Sequence, residues 1–454
     1  MSARFWILVI SIVALIAVGF LVVPRLEGTP PSIGEITGIH LGHAPQTLVI
    51  DISDEDSGLR NVEVRMLSRG GAKTLAEHHF PGNPIAGGDA RSERLEVPLD
   101  VSTLGLPDGE ATLVVVVRDW SLRDGLSGNS SELSTTLEID TKPPRLEVAS
   151  GLTYMYRGGS AAVRYRVEDE PTTDGVQVAD AFFPGHPLPG EASDSRERVA
   201  IFAIPVEAPA NPRVRVVASD AAGNVTEASF PVRIFERQFS TSSIPLSSRF
   251  LSEKVRPLAE SNGLAGGTPE ESFRLVNETL RRVNDERIRE TARNTSPTRR
   301  WRGGFAQLRN SKVTSRFAEK RSYLWDERPI SDAVHYGFDL ASTSRARVTA
   351  ANDGRVVFAG DLGIYGLCII LDHGLGVHSL YGHLSNLGVS TGETVSKGQA
   401  MGRSGATGLA GGDHLHFAIL VGGQYVDPLE WWDPKWVRSH IEQRLHPAGS
   451  AASE

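Results

Sequence analysis

Apolar positions along this chain fall into four successive spacing patterns, and each predicts its kind of element. Residues 5–23 (FWILVISIVALIAVGFLVV) are apolar without interruption between Arg4 and Arg25. As a helix rising 1.5 Å per residue the run reaches roughly 28 Å, about the hydrocarbon thickness of a bilayer. Ala17-Val18-Gly19 has the small-x-small form of a signal-peptide cleavage site, but four large apolar residues follow it at once. The run therefore reads as an uncleaved transmembrane anchor. Arg4 and the α-amine outweigh Arg25 with Glu27 beside it, which places the N-terminus in the cytoplasm and exports the rest. From residue 30 to about 235, short runs alternate apolar with polar residues, as at 47–52, 62–67, 111–118, 161–167 and 213–218, and Gly, Pro, Asn and Asp separate them. That is the signature of half-buried strands.

A quiet repeat runs through this region. Pro30-Pro31 precedes one strand and Pro143-Pro144 another, and each segment closes on a strand, an aspartate and a Gly-Asn turn (Asp119 to Gly128-Asn129, Asp220 to Gly223-Asn224). The pattern fits the closing hairpin of a β-sandwich and resembles bacterial immunoglobulin-like modules, read here as two spacers in tandem. The spacing then turns helical. Thr268 is a cap, Pro269 sits in the first turn and Glu271 lies three residues after the cap, while Phe273, Val276, Leu280 and Val283 form one apolar stripe. Arg293, Arg299, Arg300, Arg302, Arg309, Lys312 and Arg316 make the following stretch basic, read as a solvated face, with contact to an anionic polymer outside the membrane as the alternative.

At 454 residues the chain has room for about three domains. A formal charge of −8 argues against a nucleic-acid partner, and the single cysteine, Cys368, excludes an intramolecular disulfide and a cysteine zinc knuckle. A metal site here has to come from histidine and carboxylate.

Strand character returns after Val313, and with it His335-Tyr336-Gly337-Phe338-Asp339, Leu380-Tyr381-Gly382-His383-Leu384 and His414-Leu415-His416-Phe417. Alternate residues of an extended strand share a face, so His335 and Asp339 point the same way with Gly337 leaving an open slot between them, and His414 and His416 share another face. Imidazoles with one carboxylate are the donors of a catalytic zinc that keeps a position for water, whereas Mg²⁺ would call for more oxygens. The strand argument does not say which of His414 and His416 holds the metal. His378 reads as structural, on the face opposite His383. His373 buttresses an Asp-His-Gly turn, and His40, His43, His78, His79 and His186 read as surface residues. Cys368 reads as a buried strand residue. Residues 408–412 lack the lysine of a phosphate loop.

From about residue 314 to 428 the chain resembles the lysostaphin-type (LytM-domain) zinc endopeptidases, which cut peptide cross-links in bacterial peptidoglycan and have the duplicated hybrid motif fold. Asp353-Gly354-Arg355-Val356, Asp372-His373-Gly374, Tyr381-Gly382-His383-Leu384-Ser385, Val395-Ser396-Lys397-Gly398-Gln399, Gly402-Arg403-Ser404-Gly405 and Asp427-Pro428 fall in that family's order. The resemblance implies that His335, Asp339 and His416 ligate one Zn²⁺ per chain and that His383 and His414 are the uncoordinated catalytic pair. It also implies an antiparallel β-domain with an open groove. The segment 317–335 departs from the family where a groove wall would lie, and Ser342-Thr343-Ser344-Arg345-Ala346 replaces a glycine-rich turn.

The expected fold is mainly β and multidomain. It comprises a transmembrane anchor (1–28), two Ig-like β-sandwiches (29–141 and 142–238), a helical linker (239–310), the LytM-type domain (311–436) and a C-terminal tail (437–454). The expected function is that of a single-pass bacterial inner-membrane zinc metalloendopeptidase, its catalytic domain in the periplasm, hydrolysing peptidoglycan stems or cross-links with zinc-activated water. No H-E-x-x-H occurs, so histidines carry the protons. The alternative is a non-catalytic wall-binding or amidase-activating protein. The resemblance implies that such variants lose ligands, and here all five positions are filled. The helix from Glu270 and the segment 317–334 are expected to cover the groove until a regulatory partner of unknown identity displaces them, so that deletion up to Val313 raises activity.

Overall fold

The computed structural model describes residues 3–36, 39–169, 171–264 and 267–445, and some side chains within 3–24 lie outside that description. Contacts divide the chain into two compact units, Met1–Pro144 with Ser219–Val225, and Arg145–Ala218 with Thr226–Glu454.

In the first unit, Ala3–Val22 is one helix, as the apolar run predicts. Among the described residues, however, no helix is long and apolar enough to cross a membrane. The expected transmembrane helix is therefore not supported. Beyond it, Ser32–Ile33, Gln46–Ser53 and Ser92–Leu99 form one sheet, and a second sheet orders His40–Leu41, Ser130–Ile139, Gly109–Asp119, Leu59–Ser68 and Gly71–His79. The alternating strands bury one face each: Ile50, Ile52, Val62, Val64, Leu113, Val115 and Val117 belong to one core. The repeated turn has a physical basis. Asp119 Oδ1 accepts from the Asn129 backbone N–H at 2.7 Å and Oδ2 from its side-chain amide at 2.9 Å. Asp220 does the same for Asn224, at 2.9 Å twice. His40, His43, His78 and His79 are exposed, as expected.

In the second unit, Ser160–Val167 pairs with Leu146–Val148 and Glu197–Ala203, and Thr173–Val178 lies between Ala181–Pro184 and Val214–Ser219. These strands, the helices after residue 248 and the C-terminal sheet share one apolar core that includes Phe183, Phe202, Phe273, Trp301 and Trp431. His186 is buried here, not on the surface, because its strand His186–Pro187 pairs with Glu197–Ala203 over that core. Burial pulls its pKa down to about 4.

The predicted capping box forms: the Thr268 hydroxyl accepts from the Glu271 N–H, and Glu271 reaches back to the Thr268 N–H. Phe273, Val276 and Leu280 are buried, but Val283 is 51% exposed. The cause is a π-helical turn at Leu275–Leu280, whose extra residue rotates the following face so that Asn284, Ile288 and Ala292 point inward instead. Within the basic stretch, Arg293, Arg302, Arg309, Lys312 and Arg316 are exposed, whereas Arg299 pairs with Glu442 and stacks on Trp301.

The C-terminal sheet is antiparallel throughout, in the order Lys312–Ser315, Phe338–Ala341, Leu415–Val421, Val377–Leu384, Leu367–Gly374, Gly354–Asp361, Thr394–Val395. A smaller sheet stands beside it, in which Glu319–Trp325 pairs with Arg328–His335 and, in parallel, with Thr241–Pro245.

Candidate metal and catalytic centre

Three backbone segments converge at one end of the C-terminal sheet. His335 ends the strand Arg328–His335, Asp339 lies in Phe338–Ala341, and His416 lies opposite Asp339 in Leu415–Val421. The first two are not on one continuous strand, since the chain breaks at Tyr336-Gly337. The slot at Gly337 is not open either: a Cβ there would lie 2.6 Å from His416 Cε1. The glycine is needed because the His416 ring occupies the space a side chain would take.

The three donors form a nearly equilateral triangle. His335 Nε2 to Asp339 Oδ1, His416 Nδ1 to Asp339 Oδ1, and His335 Nε2 to His416 Nδ1 are each 3.0 Å. All three residues are at most 9% exposed. The tautomer of His335 follows from what lies behind its ring. His335 Nδ1 is 3.0 Å from the Arg316 carbonyl, which only accepts, so Nδ1 carries the proton and the Nε2 lone pair faces inward. Asp339 Oδ2 accepts from Arg321 Nη2 at 2.9 Å, which leaves Oδ1 for the centre of the triangle. Neighbouring imidazoles and their hydrogen bonds hold the Asp339 carboxyl well below its usual range against the opposing effect of burial. Burial lowers His416 to about 4.

These donors fit zinc. Two imidazole lone pairs and one carboxylate oxygen point at one spot, at separations a few tenths of an ångström under the roughly 3.3 Å that tetrahedral zinc bonds of ~2.0 Å require. His416, not His414, completes the triangle; His414 Nε2 stands 3.5 Å from Asp339 Oδ1 and closer to solvent.

His383 and His414 flank the triangle, their rings 4.8 Å apart, with His383 5.8 Å from His416. Simple alternation would have turned His383 away, because Gly382 lies opposite His416. A bulge corrects this: Leu384 and Tyr381, three apart, face Leu367 and Ile369, two apart, and His383 takes φ = +60°. Each ring donates Nδ1–H to a backbone carbonyl, His383 to Thr407 at 2.9 Å and His414 to Gly412 at 2.8 Å, and each thereby presents Nε2. Burial and the neighbouring imidazoles hold His383 well below its ordinary pKa. Burial also lowers His414, but its hydrogen bond and charge interaction with Asp339 outweigh that and raise it.

All five residues line one cavity of about 620 Å³. The segment 317–334 forms part of its wall through Glu319, Arg321 and Tyr323, and residues 242–247 form another part. The helix expected to cover the groove contributes only Arg281 to it. Sequence reasoning missed Arg321, and it missed Tyr365, whose ring stands 5.4 Å from His416 and whose hydroxyl donates to buried Asp285 at 2.7 Å. The available signal for Arg321 was charge at alternating strand positions 319 and 321, on the face that elsewhere would be apolar. Of the remaining histidines of the catalytic sheet, His373 and His378 are structural. His373 bridges the Asp353 carbonyl at 2.6 Å and Ser379 at 2.7 Å, and His378 is fully buried. Cys368 is fully buried in Leu367–Gly374, and burial pushes its thiol pKa up.

Residues 333–428 match the profile of peptidase family M23. The C-terminal part of the chain is a peptidase family M23 domain. Peptidases of this family are generally zinc-dependent. The M23 domain is 38% identical over 96 residues to the DD-carboxypeptidase/endopeptidase Mpg of Neisseria meningitidis serogroup B, covering 21% of this chain and 22% of that one. It is equally 38% identical, over 95 residues, to the murein hydrolase activator EnvC of Escherichia coli, covering 21% and 23%. The chain thus spans about a fifth of the length of these relatives. Among solved structures, the catalytic domain of lysostaphin from Staphylococcus simulans is 30% identical, covering 27% of this chain and 92% of that one, with a TM-score of 0.23.

Proposed function

We propose that the chain is a membrane-anchored, exported zinc metalloendopeptidase that hydrolyses peptide bonds in peptidoglycan stems or cross-links. The observation that carries this reading is the complete set of five groups at one cavity: three donors 3.0 Å apart and two further imidazoles presenting Nε2. A zinc ion held by His335, Asp339 and His416 would supply Lewis acidity, bringing the pKa of a bound water from ~15.7 toward ~7 and polarising the scissile carbonyl. The chain's own residues do the rest. Of His383 and His414, one accepts the proton of the attacking water through Nε2, and the other stabilises the developing oxyanion or protonates the leaving amine. With Nδ1–H on a backbone carbonyl, a neutral ring accepts at Nε2, and the ring that donates does so as the imidazolium. Arg321 holds Asp339 Oδ2 and so fixes which carboxylate oxygen faces the centre.

The likeness to a murein hydrolase activator supports the second reading, a wall-bound activator without turnover. The filled donor set favours the enzyme. Purified chain loaded with zinc should release soluble muropeptides from isolated peptidoglycan, and His416→Ala should not. Wall binding without release, at one zinc per chain, would move the conclusion to the activator. The anchor rests on the uncharged run 5–23, of which residues 5–22 lie within one helix, Ala3–Val22, with Phe5, Trp6, Ile7 and Leu8 exposed. Extraction of the chain from cell membranes by carbonate alone would contradict it, and protease accessibility of the M23 domain only after outer-membrane permeabilisation would support the periplasmic placement.

A further inference from the structure

Among the described residues, one arginine on the groove forms no ion pair. Arg281 lines the same cavity as His335, Asp339 and His383, but it comes from the helix preceding the M23 domain and so lies outside the matched residues 333–428. Its guanidinium is held from behind. Nη2 donates to the Asn277 side-chain oxygen at 2.8 Å, and Nε donates to the Asn277 backbone carbonyl at 3.1 Å. Asn277 is 1% exposed and is itself fixed, its Nδ2 donating to Ser331 Oγ at 2.8 Å and to the Asp332 carbonyl at 3.2 Å. It sits in the π-helical turn Leu275–Leu280, a device that often marks functional positions in helices.

This mooring is neutral. Among the described residues no carboxylate stands within ion-pair distance of Arg281 and no hydrogen bond reaches Nη1. Asp285, one turn further on, is occupied by the Tyr365 and Tyr425 hydroxyls at 2.7 and 3.3 Å. The groove's other arginine, Arg321, is committed to Asp339 and Glu319. A guanidinium oriented by a buried amide, near the charge of Asp285 but in direct contact with no acid, is preorganised for a planar anion, and a carboxylate matches its geometry. Resting on the reading that this groove takes a peptide, we propose that Arg281 is the specificity-determining residue that pairs with a free carboxylate of the substrate and selects acid over amidated stem peptides.

The test compares two soluble cross-linked stem peptides, one with free side-chain and terminal carboxylates and one with the same groups amidated, against the detergent-solubilised, zinc-loaded full chain. Wild type should prefer the free acid by about tenfold or more in kcat/KM, carried mainly by KM, as loss of a charge-assisted hydrogen bond implies. Arg281→Gln should bring the ratio close to one, and Arg281→Lys should restore part of it, both at unchanged zinc content. A wild type with no preference, or a preference that survives Arg281→Gln, overturns the assignment. If zinc-loaded wild type cleaves neither peptide, the peptidase reading fails instead. Calorimetric binding of the same two peptides then decides for Arg281 alone: a preference for the acid that Arg281→Gln abolishes supports it, and equal affinities overturn it.

Discussion

Arg321 makes the clearest case for what a single side chain does at this site. It is not one of the three metal donors, yet it sets the rotation of Asp339 by holding Oδ2 and is itself tethered to Glu319 and Ser315. Arg321→Gln should weaken zinc binding by about 10- to 100-fold in a competition titration while the melting temperature changes little, as losses behind a metal ligand do. Unaltered zinc affinity would remove its positioning role. Gly337→Ala should act on the same quantity by another route, because the added methyl meets the His416 ring at 2.6 Å. His383→Ala and His414→Ala should each retain zinc and lose about 10²- to 10⁴-fold in kcat on muropeptide release. A variant that lost its metal instead would belong with the ligands. The five residues of the candidate site were legible through the motifs His-x-x-x-Asp, Tyr-Gly-His and His-x-His taken together, and the family resemblance, not the strand pattern, separated His416 from His414. Alternation alone would have misdirected His383, whose approach depends on a bulge that no spacing rule announces. Arg321 and Arg281 were missed for a different reason: each reaches a groove whose other walls come from distant parts of the sequence.

At the scale of elements, the helix 269–293 matters more than its linker role suggested. The capping box and first stripe were readable, but the π turn that exposes Val283 and buries Asn277 was not, since it follows from packing against Arg328–His335. Phe273, Val276, Leu280, Ile288 and Ala292 are each at most 4% exposed in the core that also holds the catalytic sheet, and Thr241–Pro245 pairs with Glu319–Trp325. Deletion up to Val313 would therefore strip a strand and a buried helical face. The expectation of a more active fragment gives way to its opposite: residues 313–454 should show no cooperative thermal transition by circular dichroism. Phe273→Ala in the intact chain should cost about 3–5 kcal/mol in denaturant unfolding. A well-folded, active fragment would show that the helix is a cover after all.

At the scale of the whole molecule, the strand-and-turn rhythm disclosed the repeated Asp…Gly-Asn turns but not that residues 145–235 would share a core with the catalytic sheet, because shared burial leaves no periodic mark. The join within that unit has a titratable element. Glu430 accepts from the Ser160 N–H at 2.9 Å, and burial pushes its carboxyl up to about 8 from an ordinary 4.5. The folded chain thus holds this proton more tightly than the unfolded one. The stabilisation is complete below about pH 4.5 and declines as pH rises through about 8. The melting temperature of wild type relative to Glu430→Gln should fall across that interval, and a constant difference would mean the carboxyl titrates normally. The lone thiol of the chain, sealed in the middle strands of the catalytic sheet, has a practical corollary. A maleimide dye added to native protein should find nothing to label, so cysteines introduced in pairs on the two banks of the cleft could be tagged without background, and energy transfer between them would follow the cleft's width as a wall fragment enters.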